Sequence, residues 1–202
     1  MGNRQSICFV ATVEFAVNAF LINHLKELSK DYDLTVVVNL QNPNFLMEKK
    51  LDIKLININF SRNISFLSDI SSLIRLIFLF YQNRFDAVHS ITPKAGLLSM
   101  LAAFITFIPL RVHSFTGQVW ATKKGISRLI LKLIDKLIGN LTTKNIVDSK
   151  SQFNFLLKHK IIKKNKSLVF GSGSIAGVNL LKFKSNNKVR NSLRKKFNIP
   201  LD

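Results

Sequence analysis

The spacing of apolar residues along this chain changes period repeatedly. Short runs rich in Val and Ile read as strands: SICFVA (6–11), DLTVVVN (33–39), DIKLININ (52–59), DAVHSI (86–91), PLRVHSF (109–115), KNIVDS (144–149) and SLVFG (167–171). Between most of them the period lengthens to that of a helix, in AVNAFLINHLKELSK (16–30), FLSDISSLIRLIFLFYQNR (66–84), KAGLLSMLAAFITF (94–107), ISRLILKLIDKLIGNL (126–141) and QFNFLLKHK (152–160). Strands alternating with helices imply right-handed crossovers and a parallel sheet. The expected fold is therefore α/β: a doubly wound, Rossmann-like parallel sheet of about seven strands with helices on both faces. Ligands of such a sheet gather beyond the carboxyl ends of its strands, where helix N-termini present free N–H groups.

Two apolar stretches raise the question of a membrane. The run from Leu97 to Leu110 includes Ser99, Thr106 and Pro109. It falls short of the roughly twenty predominantly apolar residues that a spanning helix needs. It reads instead as a buried crossover helix, entered from DAVHSI through Thr92, Pro93 and Lys94. In the helix at 126–141, Ile126, Leu129, Ile130, Leu133, Ile134, Leu137, Ile138 and Leu141 recur at helical spacing, while Lys123, Lys124, Arg128, Lys132 and Lys136 occupy its entrance and other faces. The apolar stripe is expected to pack on the sheet, with the cations either solvated or turned toward anionic lipid, and Leu131, off the stripe, adding a shallow lipid contact.

Charge sharpens this picture. The 202 residues carry a formal net charge of +19, of which residues 1–100 hold only +2 and residues 101–202 hold +17. That imbalance points to a polyanionic partner, whether nucleic acid, an anionic membrane face or a phosphorylated substrate. Nucleic acid is disfavoured: the aromatic residues are mostly Phe in apolar surroundings, and neither zinc-finger spacing nor an RNA-binding aromatic strand is present. The single cysteine, Cys8, excludes an internal disulfide framework and reads as a small buried apolar residue.

Candidate chemistry is sparse. GSGSIAG (171–177) formally fits a dinucleotide fingerprint, but it follows the last strand, and residues 184–201 contain no acid. It reads as a tight turn at a domain edge. His89 and His113 stand alone on strands, as structural histidines do, with no metal-ligating neighbours. Ser174 is followed by Ile175 and Ala176 before Gly177, so it forms no nucleophile elbow.

Several blocks in order, FSRNISFLSDISSLIRL, FDAVHSITPKAGLLSMLAA, VHSFTGQVWATKKG, IVDSKSQFNFLL and VFGSGSIAGVNLLKF, resemble the N-terminal half of GT-B glycosyltransferases of family 4. The likeness is to bacterial enzymes that build capsule, O-antigen and related surface polysaccharides. The resemblance implies a Rossmann-like acceptor-binding domain at 1–182 and a basic linker at 183–202 leading toward a C-terminal donor-binding domain. It implies transfer with retention, no metal, and no resident cofactor; the co-substrate is a nucleotide-sugar, UDP-linked, held mainly by that second domain. The acceptor side is formed by Thr12, Val13 and Glu14, by Arg62, Thr92 and Lys94, and by Thr116, Gly117 and Gln118. Gly171, Ser172, Gly173, Ser174, Gly177 and Asn179 lead into the hinge of the cleft.

Arg62 and Lys94 could hold a pyrophosphate by charge-assisted hydrogen bonds, or be solvated charges at the strand edge. Gly117 and Gly173 would let backbone N–H groups approach it, while Gly96 serves close packing of helix on sheet. The chain departs from the family pattern at Asn179, where Asp is common, and at Thr116, where many relatives have His. The implied acceptor is a polyprenyl-pyrophosphate-linked sugar, met at the inner face of the cytoplasmic membrane. A donor domain is not visible in these 202 residues, so the chain alone is expected to be inert or nearly so. It would be a fragment, a remnant, or one subunit of a split enzyme acting as a membrane-associated adapter for a separate donor-domain chain.

Overall fold

The computed structural model describes residues 4–61, 65–180 and 183–200. Seven strands, β1 (Ser6–Val13), β2 (Asp33–Asn39), β3 (Lys54–Asn57), β4 (Ala87–Ile91), β5 (Leu110–Phe115), β6 (Lys144–Val147) and β7 (Ser167–Leu168), form one sheet in the order β3-β2-β1-β4-β5-β6-β7. Every neighbouring pair is parallel. The continuous apolar runs have their explanation here, because a central parallel strand is covered on both faces: Leu34 to Val38 are all buried.

Chain order and handedness assign the helices to faces. Going from β1 to β3 the chain moves one way across the sheet, and from β3 through β7 the other; right-handed crossovers therefore fall on opposite sides. On the first side lie α1 (Glu14–Ala16), a π-helical turn (Val17–Leu21) and α2 (Ile22–Leu28), packing Leu21 and Leu25 against Phe9, Val36 and Ile91. On the second lie α3 (Phe66–Asn83), α4 (Pro93–Ile105), α5 (Gly125–Leu141) and α6 (Lys150–Lys158), which bury Leu76, Phe80, Met100, Ile138 and Leu156 against Val10, Val37, Val88 and Phe115. The π turn lies inside the first expected helix, which also begins two residues earlier than its periodicity suggests.

The helix α4 is the run that raised the membrane question, and it is a buried crossover: Ala95, Gly96, Leu98, Ser99, Met100, Ala102 and Ala103 are all buried. Among the described residues no helix is long and apolar enough to cross a membrane.

In α5 the expectation is corrected. Ile134, Ile138 and Leu141 of the stripe pack on the core as expected, with Asp135 and Gly139 buried beside them, whereas Ile126, Leu129, Ile130, Leu133 and Leu137 face outward. Two tertiary contacts set this rotation. Trp120 Nε1 donates to Asp135 Oδ2 at 2.8 Å, and a Cβ on Gly139 would lie 2.2 Å from the Ile161 carbonyl oxygen, so these two residues centre the packed face. Leu131, expected to point toward lipid, packs on the core instead. Cys8 is fully buried, and burial pushes its thiol well above the ordinary value. Within the stretch read as a basic linker, α7 (Asn187–Lys196) is a helix with no buried residue, capped by Asn186 accepting from the Val189 N–H.

Candidate functional site

The strand order reverses between β1 and β4, and the carboxyl ends of these two strands form the crevice where an open α/β sheet binds ligands. Thr12 closes one side and Thr92 the other. Their hydroxyl oxygens are 2.6 Å apart, and the Thr12 N–H donates to Thr92 Oγ1 at 3.2 Å. Thr92 sits at φ 78°, ψ 140°, a conformation that a β-branched residue rarely adopts. The double tie to Thr12 helps hold it there, and such strain concentrates at functional sites. From Thr92 the chain enters α4 with Pro93 in its first turn, so the positive end of a thirteen-residue helix opens onto the crevice.

Lys94 follows in the first turn of α4. Its Nζ donates to Asp69 Oδ1 of α3 at 2.8 Å and to Ser61 Oγ at 3.1 Å, with the lysine side chain 19% and the aspartate 21% exposed. The ammonium is thus held in place at the crevice by an ion pair, unlike a solvated strand-edge charge. Arg62 lies outside the described residues.

The next strand contributes a second group. At the end of β5, Thr116, Gly117 and Gln118 lead into a short 3-10 turn, and no described residue lies within 4 Å of where a Cβ on Gly117 would be. Gln118 Oε1 accepts from Gln152 Nε2 at 3.2 Å, and Gln152 Oε1 accepts from the Asp148 N–H at 2.9 Å. With its oxygen so engaged, Gln118 keeps a buried Nε2 that has no hydrogen-bond partner among the described residues. Asp148 in turn anchors the glycine-rich turn: its carbonyl accepts from the Ser174 N–H at 2.6 Å and its carboxylate from the Ile175 N–H at 2.7 Å. His24 Nε2 then meets the Ile175 carbonyl at 2.7 Å. A hydrogen-bonded arc therefore runs along the rim from β5 through α6 to residues 173–175 and α2.

The remaining expected residues lie outside these two groups. Glu14 turns toward β2, where its carboxylate accepts from the N–H groups of Gln41 and Asn42, the latter at 2.7 Å. Val13 caps α1 without a side-chain bond. Gly171, Ser172 and Gly177 are exposed; Gly171 and Gly177 have positive φ, and the Asn179 carbonyl accepts from the Phe183 N–H at 2.9 Å. Gly173 makes a close approach of a different kind from that expected. A Cβ there would lie 2.7 Å from the Asp148 carbonyl oxygen, and its own N–H donates to Phe170 O at 2.8 Å.

His89 and His113 are structural. His113 Nδ1 pairs with Ser90 Oγ and His89 Nε2 with Ser114 Oγ, each at 2.7 Å. Burial, helped by the neighbouring histidine, lowers His113 to about 3; burial and then His24 lower His89 to about 4. Both are neutral near pH 7. Taken together, the crevice offers paired hydroxyls, a helix N-terminus and an oriented ammonium, a set suited to holding a polar or anionic group.

A family model described as "Glycosyl transferase 4-like" matches residues 6–165. The chain belongs to that family. A capsular polysaccharide biosynthesis glycosyltransferase of Staphylococcus aureus, CapM, is 35% identical over 176 residues, covering 76% of this chain and 45% of that protein. The UDP-Gal:alpha-D-GlcNAc-diphosphoundecaprenol alpha-1,3-galactosyltransferase of Escherichia coli is 30% identical over 113 residues, 55% of this chain and 29% of that protein. The chain thus spans less than half the length of these curated relatives. Among solved structures, HepE of Anabaena in complex with UDP and glucose superposes with a TM-score of 0.69 at 13% identity, over 96% of this chain and 50% of that one. A UDP-GlcNAc 2-epimerase from Methanocaldococcus jannaschii superposes with 0.65 at 18% identity, over 95% and 53%. These likenesses establish the fold, about half of a GT-B architecture.

Three residues of this glycosyl transferase 4-like rim carried no signal of their own in the sequence. Asp69 and Asp148 each stand far along the chain from their partners, 25 residues from Lys94 and 27 from Ile175. Gln152 lies 34 residues from Gln118. Only the folded sheet edge brings them together; the scarcity of acids in the second half was the one available hint that Asp148 has a task.

Proposed function

We propose that this chain is the acceptor-binding half of a retaining glycosyltransferase that extends a polyprenyl-pyrophosphate-linked sugar in surface polysaccharide synthesis, at the inner face of the cytoplasmic membrane. The observation that carries the reading is the family match across residues 6–165, whose strands build the Thr12–Thr92 crevice. In this reading the α4 N-terminus and the Lys94 ammonium, steadied by Asp69, hold the diphosphate of the acceptor. Thr12 and Thr92 supply hydroxyls, and Gln118 an amide donor, to the sugar. The nucleotide-sugar, UDP-linked, is held by residues outside these 202, on the same polypeptide or on a partner chain. Lys123, Lys124, Arg128, Lys132 and Lys136 turn the basic half toward anionic lipid, although Arg128 and Lys132 also lean over Trp120, at 5.9 and 5.7 Å from its ring.

The test is a sugar-transfer assay on lipid-linked acceptors, with this chain alone and with a donor domain supplied. Transfer is expected only in the second case. In that assembly Lys94→Ala should raise the KM for acceptor about tenfold, the loss of one charge-assisted hydrogen bond, and leave the KM for nucleotide-sugar unchanged. Unchanged acceptor kinetics would remove Lys94 from the site. Steeply salt-dependent DNA binding without any response to lipid-linked sugars would replace the whole reading.

A further inference from the structure

Two outward rows of apolar side chains stand at helical spacing on α3 and α5. On α3 they are Phe66, Ile70, Ile74 and Phe78, with Leu67 and Tyr81 beside them; on α5 they are Ile126, Leu129, Ile130, Leu133 and Leu137. Each row lies across its helix from the buried side, which is Ser72, Leu76 and Phe80 in α3 and Asp135, Ile138 and Gly139 in α5. The helix α4 packs between α3 and α5 and touches both, so the two rows belong to one surface. Single exposed apolar residues need no explanation, but two aligned rows do.

We propose that the outer face of the α3–α4–α5 layer lies in the headgroup region of an anionic bilayer, with the acceptor crevice at its edge. This rests on the membrane-surface reading above and changes its mode, from attraction by cations alone to burial of apolar rows. Three observations choose lipid as the occupant. The N-termini of α3 and α5 lie on the carboxyl edge of the sheet, as the crevice does, and the first-turn residues Phe66, Leu67 and Ile126 are 78%, 82% and 77% exposed. The α5 row is flanked by Lys123, Lys124 and Lys136, all exposed, which complement anionic headgroups. A second copy on this face would set those cations against their equals in a chain of net charge +19. A helix pair of this kind lies in the interface plane without spanning it.

Vesicle co-sedimentation tests this, with phosphatidylglycerol-containing and pure phosphatidylcholine vesicles at low salt and at about 0.5 M salt, where exposed charges are largely screened. The wild-type chain should bind the anionic vesicles and keep part of that binding in high salt. The triple replacements Ile70→Ser, Ile74→Ser, Phe78→Ser and, separately, Leu129→Ser, Leu133→Ser, Leu137→Ser should each weaken binding about tenfold and remove the salt-resistant part. Lys123→Glu with Lys124→Glu should affect only the low-salt binding.

If both triple variants bind like the wild type, the apolar surface is not the contact, and the cationic reading stands without it. If the wild type fails to bind anionic vesicles at all, both readings fall. If the triple variants convert a dimer to a monomer in light scattering while lipid binding is unchanged, the surface belongs to a second copy and the proposal is overturned. Should a triple variant melt early, single Ile74→Cys and Leu133→Cys variants replace it. Cys8 is fully buried, so an environment-sensitive dye on the new thiol reports insertion by a blue shift on anionic vesicles, and no shift refutes it.

Discussion

A Cβ on Gly96 would lie 2.5 Å from His113 Cε1 and 2.8 Å from its Nδ1. The glycine is there because α4 rides directly on a strand histidine that has nowhere to move, being held by Ser90 on one side and Phe115 at 4.6 Å on the other. Gly96→Ala should therefore destabilise the fold by about 1–3 kcal/mol in urea denaturation, through overpacking. The same histidine makes stability acid-sensitive. Its folded-state value, about 3, lies below the ordinary 6.5, so the unfolded chain takes the proton more readily. Its contribution is intact above pH 6.5 and is lost as pH falls through the window toward 3, up to about 5 kcal/mol.

Asp135 works in the opposite sense. Burial raises it from 3.8 to about 6 against the lowering effect of the Trp120 hydrogen bond, so the folded state prefers it protonated. Its penalty is absent below 3.8 and complete above about 6, so this group gains stability as pH falls between the two. Asp135→Asn keeps an acceptor for Trp120 Nε1 and removes the penalty. The variant should be at least as stable as the wild type at pH 7 and lose more stability on going to pH 4.5, as read from urea midpoints.

At the scale of elements, α5 shows where periodicity misleads. Its Leu and Ile stripe has the strongest amphipathic pattern among the helices, yet only Ile134, Ile138 and Leu141 of it reach the core, and the packed side is centred on Asp135 and Gly139. The buried aspartate has a partner in Trp120, and the glycine admits the Ile161 backbone; a row of Leu could do neither. Leu133→Ser should then change stability by less than about 0.5 kcal/mol, while Ile138→Ala should cost about 2–4 kcal/mol. Equal effects in thermal or chemical denaturation would contradict the rotation of α5 described above. The π turn at Val17–Leu21 was equally invisible, because one extra residue in a turn shifts the apolar phase too little to register in a short segment.

Across the whole molecule, seven strands and the five principal crossover helices were legible as alternating periods, and the parallel doubly wound order followed from handedness. The crevice was legible in part. Thr92, Lys94 and Gln118 come from blocks that resemble the family and lie at the rim, as does Thr12, which the resemblance implied by position; Glu14, implied in the same way, supports the loop after β2 instead. The polar partners that orient the site, Asp69, Asp148 and Gln152, were not legible, since an ion pair or amide bridge across 25 or more residues leaves no local mark. The terminal helix α7 has no buried residue, so truncation after residue 180 should leave the unfolding free energy of the remaining domain, read from urea denaturation, unchanged within about 1 kcal/mol.

The sequence by itself determined the alternation of elements and the sheet's parallel topology, because these depend on apolar period and chain order, and it showed the family through motif blocks in order; all of these are local or sequential properties. Only the tertiary structure decided which face of α5 is buried, that Lys94 is held by Asp69, and that the buried Nε2 of Gln118 has no partner among the described residues. Each of those depends on how side chains distant in sequence satisfy hydrogen bonds and fit volume once the sheet has brought them within a few ångströms, and neither requirement is written in the period of a helix.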